Sequence, residues 1–106
     1  MKKHFVVAVG PILLEEEKAI IEYFHGKHTW WHWIGGFWLV IDSSGKLTAE
    51  NIRDHVHVVA PNARILVLEV QKGHDWAGIG PETEQKNMFR WIRKFWIEES
   101  EQKSET

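Results

Sequence analysis

The amino-acid sequence predicts an α+β fold: a ferredoxin-like βαββαβ antiparallel sheet plus a C-terminal helix. Short apolar, β-branched runs alternate with amphipathic segments in the order strand, helix, strand, strand, helix, strand. The two middle runs are rich in aromatic residues and are separated by Gly35-Gly36, a pattern typical of a hairpin. A split βαβ arrangement of this kind places two helices on one face of the sheet.

The first strand and helix follow from residues 4–24. Residues 4–9 form an apolar run bounded by Gly10-Pro11, which predicts a buried strand. Residues 13–24 then predict an amphipathic helix that ends at Gly26 and has acidic residues in its first turn. Its apolar stripe consists of Leu13, Ile20, Ile21 and Phe24.

The remaining elements are defined by their boundaries. Residues 30–34 and 37–41 flank the Gly-Gly turn, and glycine reaches a positive φ there without strain. Thr48 is a favourable N-cap for a second helix, and residues 64–70 predict the fourth strand. A third helix is expected to carry one apolar stripe, formed by Met88, Trp91, Ile92, Phe95 and Trp96.

Composition limits the classes of function. We expect one domain over residues 1–97 and a disordered polar tail over residues 98–106. The 106 residues are 43% hydrophobic and contain no apolar run long enough for a membrane span, so we expect a cytoplasmic protein. The absence of cysteine excludes disulfides and thiolate chemistry, and a formal net charge of −2 argues against a protein that coats nucleic acid.

Four of the seven tryptophans lie within residues 28–40. Strict alternation predicts that Trp31 and Trp33 share one sheet face and that Trp30, His32 and Ile34 share the other. Sheet aromatics can stack on nucleic-acid bases, but residues 29–41 contain no lysine or arginine. Packing in the core or in a dimer interface is therefore the preferred interpretation. The candidate binding residues are Trp30, Trp31, His32, Trp38 and Trp76.

Several short motifs carry a resemblance to a known family. These are Trp30-Trp31-His32, Phe37-Trp38-Leu39-Val40, the segment from Leu47 to His55, the segment from Leu66 to Val70, and Trp76-Ala77-Gly78. Over residues 4–80 the sequence resembles the small bacterial and phage proteins catalogued as SinR-like. Those proteins are similar in fold to the small CRISPR-associated adaptation subunit, which is often labelled an endoribonuclease.

The resemblance implies a ferredoxin-like fold and a homodimer built through the sheets, and it is compatible with a phage or mobile-element origin. In the CRISPR-associated relatives, an aspartate at the end of the first strand is the proposed metal-binding and catalytic residue. The corresponding strand here, from Phe5 to Gly10, contains no carboxylate. The resemblance therefore transfers no catalytic residue to this chain.

The histidines do not show the spacing of a metal site. His28 and His32 would lie about 13 Å apart along a strand, and His55 and His57 lie on nearly opposite sides of a helix. Neither an HExxH motif nor a nucleophile elbow is present. The candidates for acid–base chemistry are His32, His74 and Asp75.

The sequence leads to two hypotheses of different classes. The first is a non-catalytic homodimeric binding module without a cofactor, whose further partner is a nucleic acid or another protein. The alternative is a Mg²⁺-dependent endonuclease acting on RNA or DNA, in which Asp42, Asp54 or Asp75 replaces the missing carboxylate.

Overall fold

The structure, a computed structural model, describes residues 2–71 and 90–97. The chain divides into two compact units, residues 1–71 and residues 72–106. The expectation of one domain over residues 1–97 stays a prediction, and the polar tail over residues 98–106 lies outside the described residues. The first unit contains β1 (Lys3–Gly10), α1 (Leu14–Phe24), β2 (Thr29–Ile34), β3 (Phe37–Asp42), α2 (Ala49–Val59) and β4 (Arg64–Val70).

In the second unit, the described residues form a short π-helix, Ile92–Ile97. Trp91 packs against Phe95 and Trp96, with ring centroids 5.9 and 6.0 Å apart. Met88, which was expected on the same stripe, lies outside the described residues. The full extent of the expected third helix therefore stays a prediction.

The four strands form one antiparallel sheet in the order β2-β3-β1-β4. The first strand is central because it pairs with β3 on one side and with β4 on the other. The predicted α+β class with an antiparallel sheet is confirmed. The two edge strands differ in regularity, because the pairing of β2 with β3 shifts register whereas β4 pairs with β1 without a break.

Both helices pack on the same face of the sheet, here called the inner face. Alternate residues of β1 (Phe5, Val7 and Val9) join one hydrophobic core with residues of both helices. Burying each large side chain of this kind contributes about 1.5–3 kcal/mol to stability. The other buried members of the core are Ile20, Phe24, Trp38, Val40, Ile52 and Val56.

The helix starts follow from local hydrogen bonds. At α2, the backbone N–H of Asn51 donates to Thr48 Oγ1 at 3.0 Å, and the Asn51 side chain accepts from the N–H of Thr48 at 3.2 Å. Thr48 is thus the N-cap predicted for this helix. At α1, the N–H of Leu13 donates to Glu16 at 2.9 Å. Leu13 itself precedes the helix and is exposed, so its assignment to the apolar stripe was wrong.

A β-bulge interrupts β2. Trp31 lies opposite Leu39, and Ile34 lies opposite Phe37. His32 and Trp33 therefore both face Trp38, the single residue between Leu39 and Phe37 on β3. The alternation predicted for β2 was therefore wrong beyond Trp31. Trp31 is buried whereas Trp33 is 47% exposed, and Ile34 lies on the side opposite to the one predicted.

The face opposite the helices, here called the outer face, consists of three transverse rows of side chains. The central row contains Trp31 and Leu39, which are buried, and Leu68, which is 48% exposed. Exposure is thus greater at the β4 edge of this row than at the β2 edge. The complete rows are Ile34-Phe37-Ala8-Leu66, Trp31-Leu39-Val6-Leu68 and Thr29-Ile41-His4-Val70.

No helix within residues 2–71 and 90–97 combines the length and the apolar character needed to cross a membrane.

Candidate functional site

The bulge in β2 places His32 between the two layers of the first unit. Its Nε2 lies 2.7 Å from Glu17 Oε2 in the first turn of α1, and its Nδ1 lies 2.8 Å from the carbonyl oxygen of Phe37. Its ring stacks on the indole of Trp38 with centroids 4.0 Å apart and planes within 7°. We call Glu17, His32 and Trp38 the His32 cluster.

Burial and hydrogen bonding make the His32 cluster a bridge between layers. The side chain of His32 is 9% exposed and that of Glu17 is 28% exposed. A neutral imidazole donates from one nitrogen only, but both nitrogens here face oxygen acceptors. The ring is therefore held at both nitrogens, by a side chain of α1 and by the backbone of β3.

This geometry bears on His32 as a candidate general base. A general base needs one ring nitrogen within hydrogen-bond reach of the substrate proton. In the structure both nitrogens are held by Glu17 and Phe37, and Trp38 covers one ring face. The arrangement supports a positioning role, in which His32 ties α1 to the β2–β3 hairpin.

The tryptophans named as candidate binding residues lie in different environments. Trp38 is completely buried, and its indole Nε1 has no hydrogen-bond partner among the described residues. Trp30 packs against the inner core, while Trp31 meets Phe37 edge to face on the outer side at 6.3 Å. Trp30 and Trp31 therefore lie on opposite sides of the sheet and form no common stacking surface. Trp76, His74 and Asp75 lie outside the described residues.

Trp33 was absent from the predicted binding residues. Among the tryptophans of residues 2–71 and 90–97, it alone is exposed. Strict alternation placed it beside Trp31, and no signal in the sequence indicated a bulge at this point. The register of β2 against β3, which is a tertiary property, determines its exposure.

Asp42, a candidate carboxylate for the nuclease alternative, is buried at the end of β3. Its Oδ1 accepts from the N–H and the hydroxyl of Ser44 at 3.1 and 2.8 Å, and its Oδ2 accepts from the N–H of Leu47 at 2.8 Å. Burial opposes ionisation, but the hydrogen bonds from Leu47 and Ser44, together with nearby His28, outweigh it. They hold the pKa of the Asp42 carboxyl below its ordinary value.

The carboxylates of the described residues do not form a metal centre. Asp42 stabilises the turn after β3, and Asp54 accepts hydrogen bonds from Arg53 on the exposed surface of α2. No group of three or more His, Asp or Glu side chains within residues 2–71 and 90–97 could hold a metal ion. Asp42 and Asp54 are therefore not brought together as magnesium ligands, and Asp75 lies outside the described part of the chain.

A second histidine connects the two helices. The ring of His55 on α2 stacks on Tyr23 of α1 with centroids 3.7 Å apart and planes within 9°. Burial lowers the pKa of His55, and the charge of Lys27 lowers it further. Burial also raises the pKa of the Tyr23 phenol. The stacked pair contributes to packing between the two helices.

Comparisons of this chain with protein-family models, with curated proteins and with solved structures gave no match.

Proposed function

We propose that this protein is a non-catalytic binding module that acts as a homodimer, with β4 as the strand that pairs the two copies. The observation that carries the proposal is the exposure of Leu66 and Leu68, on the outer face of an edge strand. Exposed leucines beside unpaired strand backbone form an edge that readily pairs with another chain. Soluble proteins normally cover or block such an edge.

The two sheet edges are not equivalent. The β2 edge carries the bulge at His32 and Trp33, which disrupts the regular ladder that strand addition requires. The β4 edge pairs regularly with β1 from Arg64 to Val70 and has no strand on its other side within the described residues. Strand addition is therefore favoured at β4.

The sequence of β4 suits antiparallel pairing with itself. A two-fold axis at Val67 places Leu66 opposite the partner's Leu68 on the outer face. Four leucines then form one apolar cluster across the interface. In the same register Arg64 faces the partner's Val70 and Glu69 faces the partner's Ile65, so no like charges oppose each other.

The fold and the family are part of the proposal. The strand order β2-β3-β1-β4, with both helices on the inner face, supports a ferredoxin-like arrangement. The Trp30-Trp31-His32 segment, by which the chain resembles the SinR-like proteins, forms the second strand. The proposed homodimer agrees with what that resemblance implies.

Sedimentation velocity across micromolar concentrations tests the dimer. We expect the wild-type chain to sediment as a dimer and Leu68→Lys to weaken dimerisation at least about tenfold, since burying one leucine contributes about 1.5–3 kcal/mol. Val58→Lys is the matched control because Val58 is an exposed apolar residue on α2, on the opposite side of the sheet from Leu68. A monomeric wild-type chain, or equal effects of the two lysine variants, would contradict the proposal.

Incubation of the wild-type chain with RNA and DNA in magnesium distinguishes the binding module from a nuclease. A binding module leaves the nucleic acids intact. Cleavage that requires magnesium and disappears in Asp75→Ala would instead support the endonuclease alternative.

A further inference from the structure

An open cleft of 490 Å³, here called the cavity, lies at one end of the outer face of the sheet. One complete transverse row contributes to its wall, so all four strands contribute: Ile34, Phe37, Ala8 and Leu66. The volume falls within the range of small-molecule sites in proteins. The apolar row provides a surface for the apolar part of a small molecule, either a flat ring or an extended chain.

Two glycines beside this cavity are required neither by a positive φ nor by close packing. Neither Gly10 nor Gly35 has a positive φ, and a Cβ atom at either position would meet no atom within 4 Å. Both residues line the cavity. A side chain at either position would take up open space at the cavity, and glycine leaves that space for another occupant.

The third glycine serves the backbone instead. Gly36 has a φ of 73°, and its carbonyl oxygen accepts from the N–H of Val9 at 2.7 Å. A Cβ atom at Gly36 would collide with the carbonyl oxygen of Val9. Gly36 therefore closes the hairpin against β1 and fixes the wall of the cavity.

One charged residue, Arg64, lines the cavity. It is exposed at the start of β4 and forms no ion pair or side-chain hydrogen bond with the described residues. A guanidinium group presents several donors in a plane that matches a carboxylate. A guanidinium beside an apolar wall therefore suits a ligand with an anionic group at one end.

We propose that this cavity binds a small amphipathic anion, with a ring or short chain against the Ile34-Phe37-Ala8-Leu66 row and a carboxylate on Arg64. The inference goes beyond the proposed dimer, because it concerns a ligand held by a single chain. Leu66 and Arg64 belong to both surfaces, so the tests also use Gly35 and Leu68, which belong to one surface each.

Two fluorescent probes with a shared naphthalene core separate the apolar and the charged contributions. The probe 1-anilinonaphthalene-8-sulfonate carries an anionic group, whereas N-phenyl-1-naphthylamine has a similar ring system without it. We expect saturable binding of both probes to the wild-type chain. Arg64→Gln should weaken binding of the anionic probe about tenfold and change the affinity for the neutral probe by less than about twofold.

Three further variants locate the site. Gly35→Leu places a side chain at the cavity and should abolish saturable binding of both probes, while circular dichroism shows that the chain remains folded. Lys46→Gln removes one exposed positive charge outside the cavity and should leave both affinities unchanged. Leu68→Lys, which does not line the cavity, should also bind both probes like the wild type.

Several outcomes would overturn the inference. Unchanged binding in Gly35→Leu would place the probes elsewhere, and equal losses for both probes in Arg64→Gln would remove the argument for an anion. Loss of binding in Leu68→Lys would place the probes in the dimer interface. A wild-type chain that is monomeric yet binds the anionic probe through Arg64 would reject the dimer and support the cavity.

Discussion

The imidazole of His32 lies parallel to the indole of Trp38, with ring centroids 4.0 Å apart, while its two nitrogens reach Glu17 and the carbonyl oxygen of Phe37. One side chain thereby connects the first helix, the bulge and the third strand. Such a bridge fixes the bulged segment, whose own ladder with β3 is irregular.

Removal of the Glu17 carboxylate should destabilise the fold through His32. Glu17→Ala deletes an acceptor from a mostly buried imidazole, and we expect a loss of about 1.5–3 kcal/mol in the free energy of unfolding. Glu15→Ala is the matched control because Glu15 also lies in the first turn of α1 but is exposed. Urea denaturation of both variants measures the difference, and equal losses would show that the hydrogen bond to His32 contributes nothing.

Asp42 should make the free energy of unfolding depend on pH in the acidic range. Its folded-state pKa lies below the ordinary value of 3.8, so the folded chain holds the carboxylate in its charged form more strongly than the unfolded chain does. The stabilisation that Asp42 contributes is fully present at pH values above 3.8. It is lost as the pH falls from there through the lowered folded-state pKa.

Asp42→Asn tests this dependence. An amide has one acceptor oxygen where the carboxylate has two, so we expect a loss of about 1–3 kcal/mol in the free energy of unfolding at neutral pH. The gap between wild type and variant should narrow as the pH is lowered below about 4. Asp54→Asn, an exposed counterpart, should show a small loss without this narrowing. A gap for Asp42→Asn that stays constant with pH would contradict the assignment.

The two glycines of the hairpin should respond differently to alanine. Gly36→Ala forces a non-glycine residue to a φ of 73° and drives its Cβ against Val9, so we expect destabilisation of about 1–3 kcal/mol. Gly35→Ala meets no atom and has no positive φ, and it should change stability by less than about 0.5 kcal/mol. Thermal unfolding of the pair measures the contrast, and equal effects would show that the turn geometry is wrong.

Local chemistry explains which parts of the fold were predictable. The hydroxyl of Thr48 and the amide of Asn51 cap α2 through groups three residues apart, and the strand over residues 64–70 matches its predicted bounds. Both features depend on neighbours in the sequence. The side chains of Trp38 and Val40 also lie together on one face, as alternation predicts, because β3 is regular there.

The candidate site depended on contacts that sequence spacing does not contain. Glu17 and His32 are fifteen positions apart, and their contact requires α1 to lie over the bulge. Alternation could not place Trp33 or Ile34, since a bulge depends on how one strand pairs with its neighbour. The apolar and aromatic residue types indicated that β2 packs in the fold. Which face of the sheet each residue occupies could be decided only from the register of β2 against β3.

The bulge also makes the length of β2 a determinant of its surface. With one residue fewer between Trp31 and Ile34, the strand would return to strict alternation, and Ile34 would stay on the outer face opposite Phe37. The β2 edge would then lose its bulge and present a regular backbone ladder, with no change in the identity of any remaining residue. A one-residue deletion in this segment would therefore open a second sheet edge to strand addition, which most substitutions in β2 would not do.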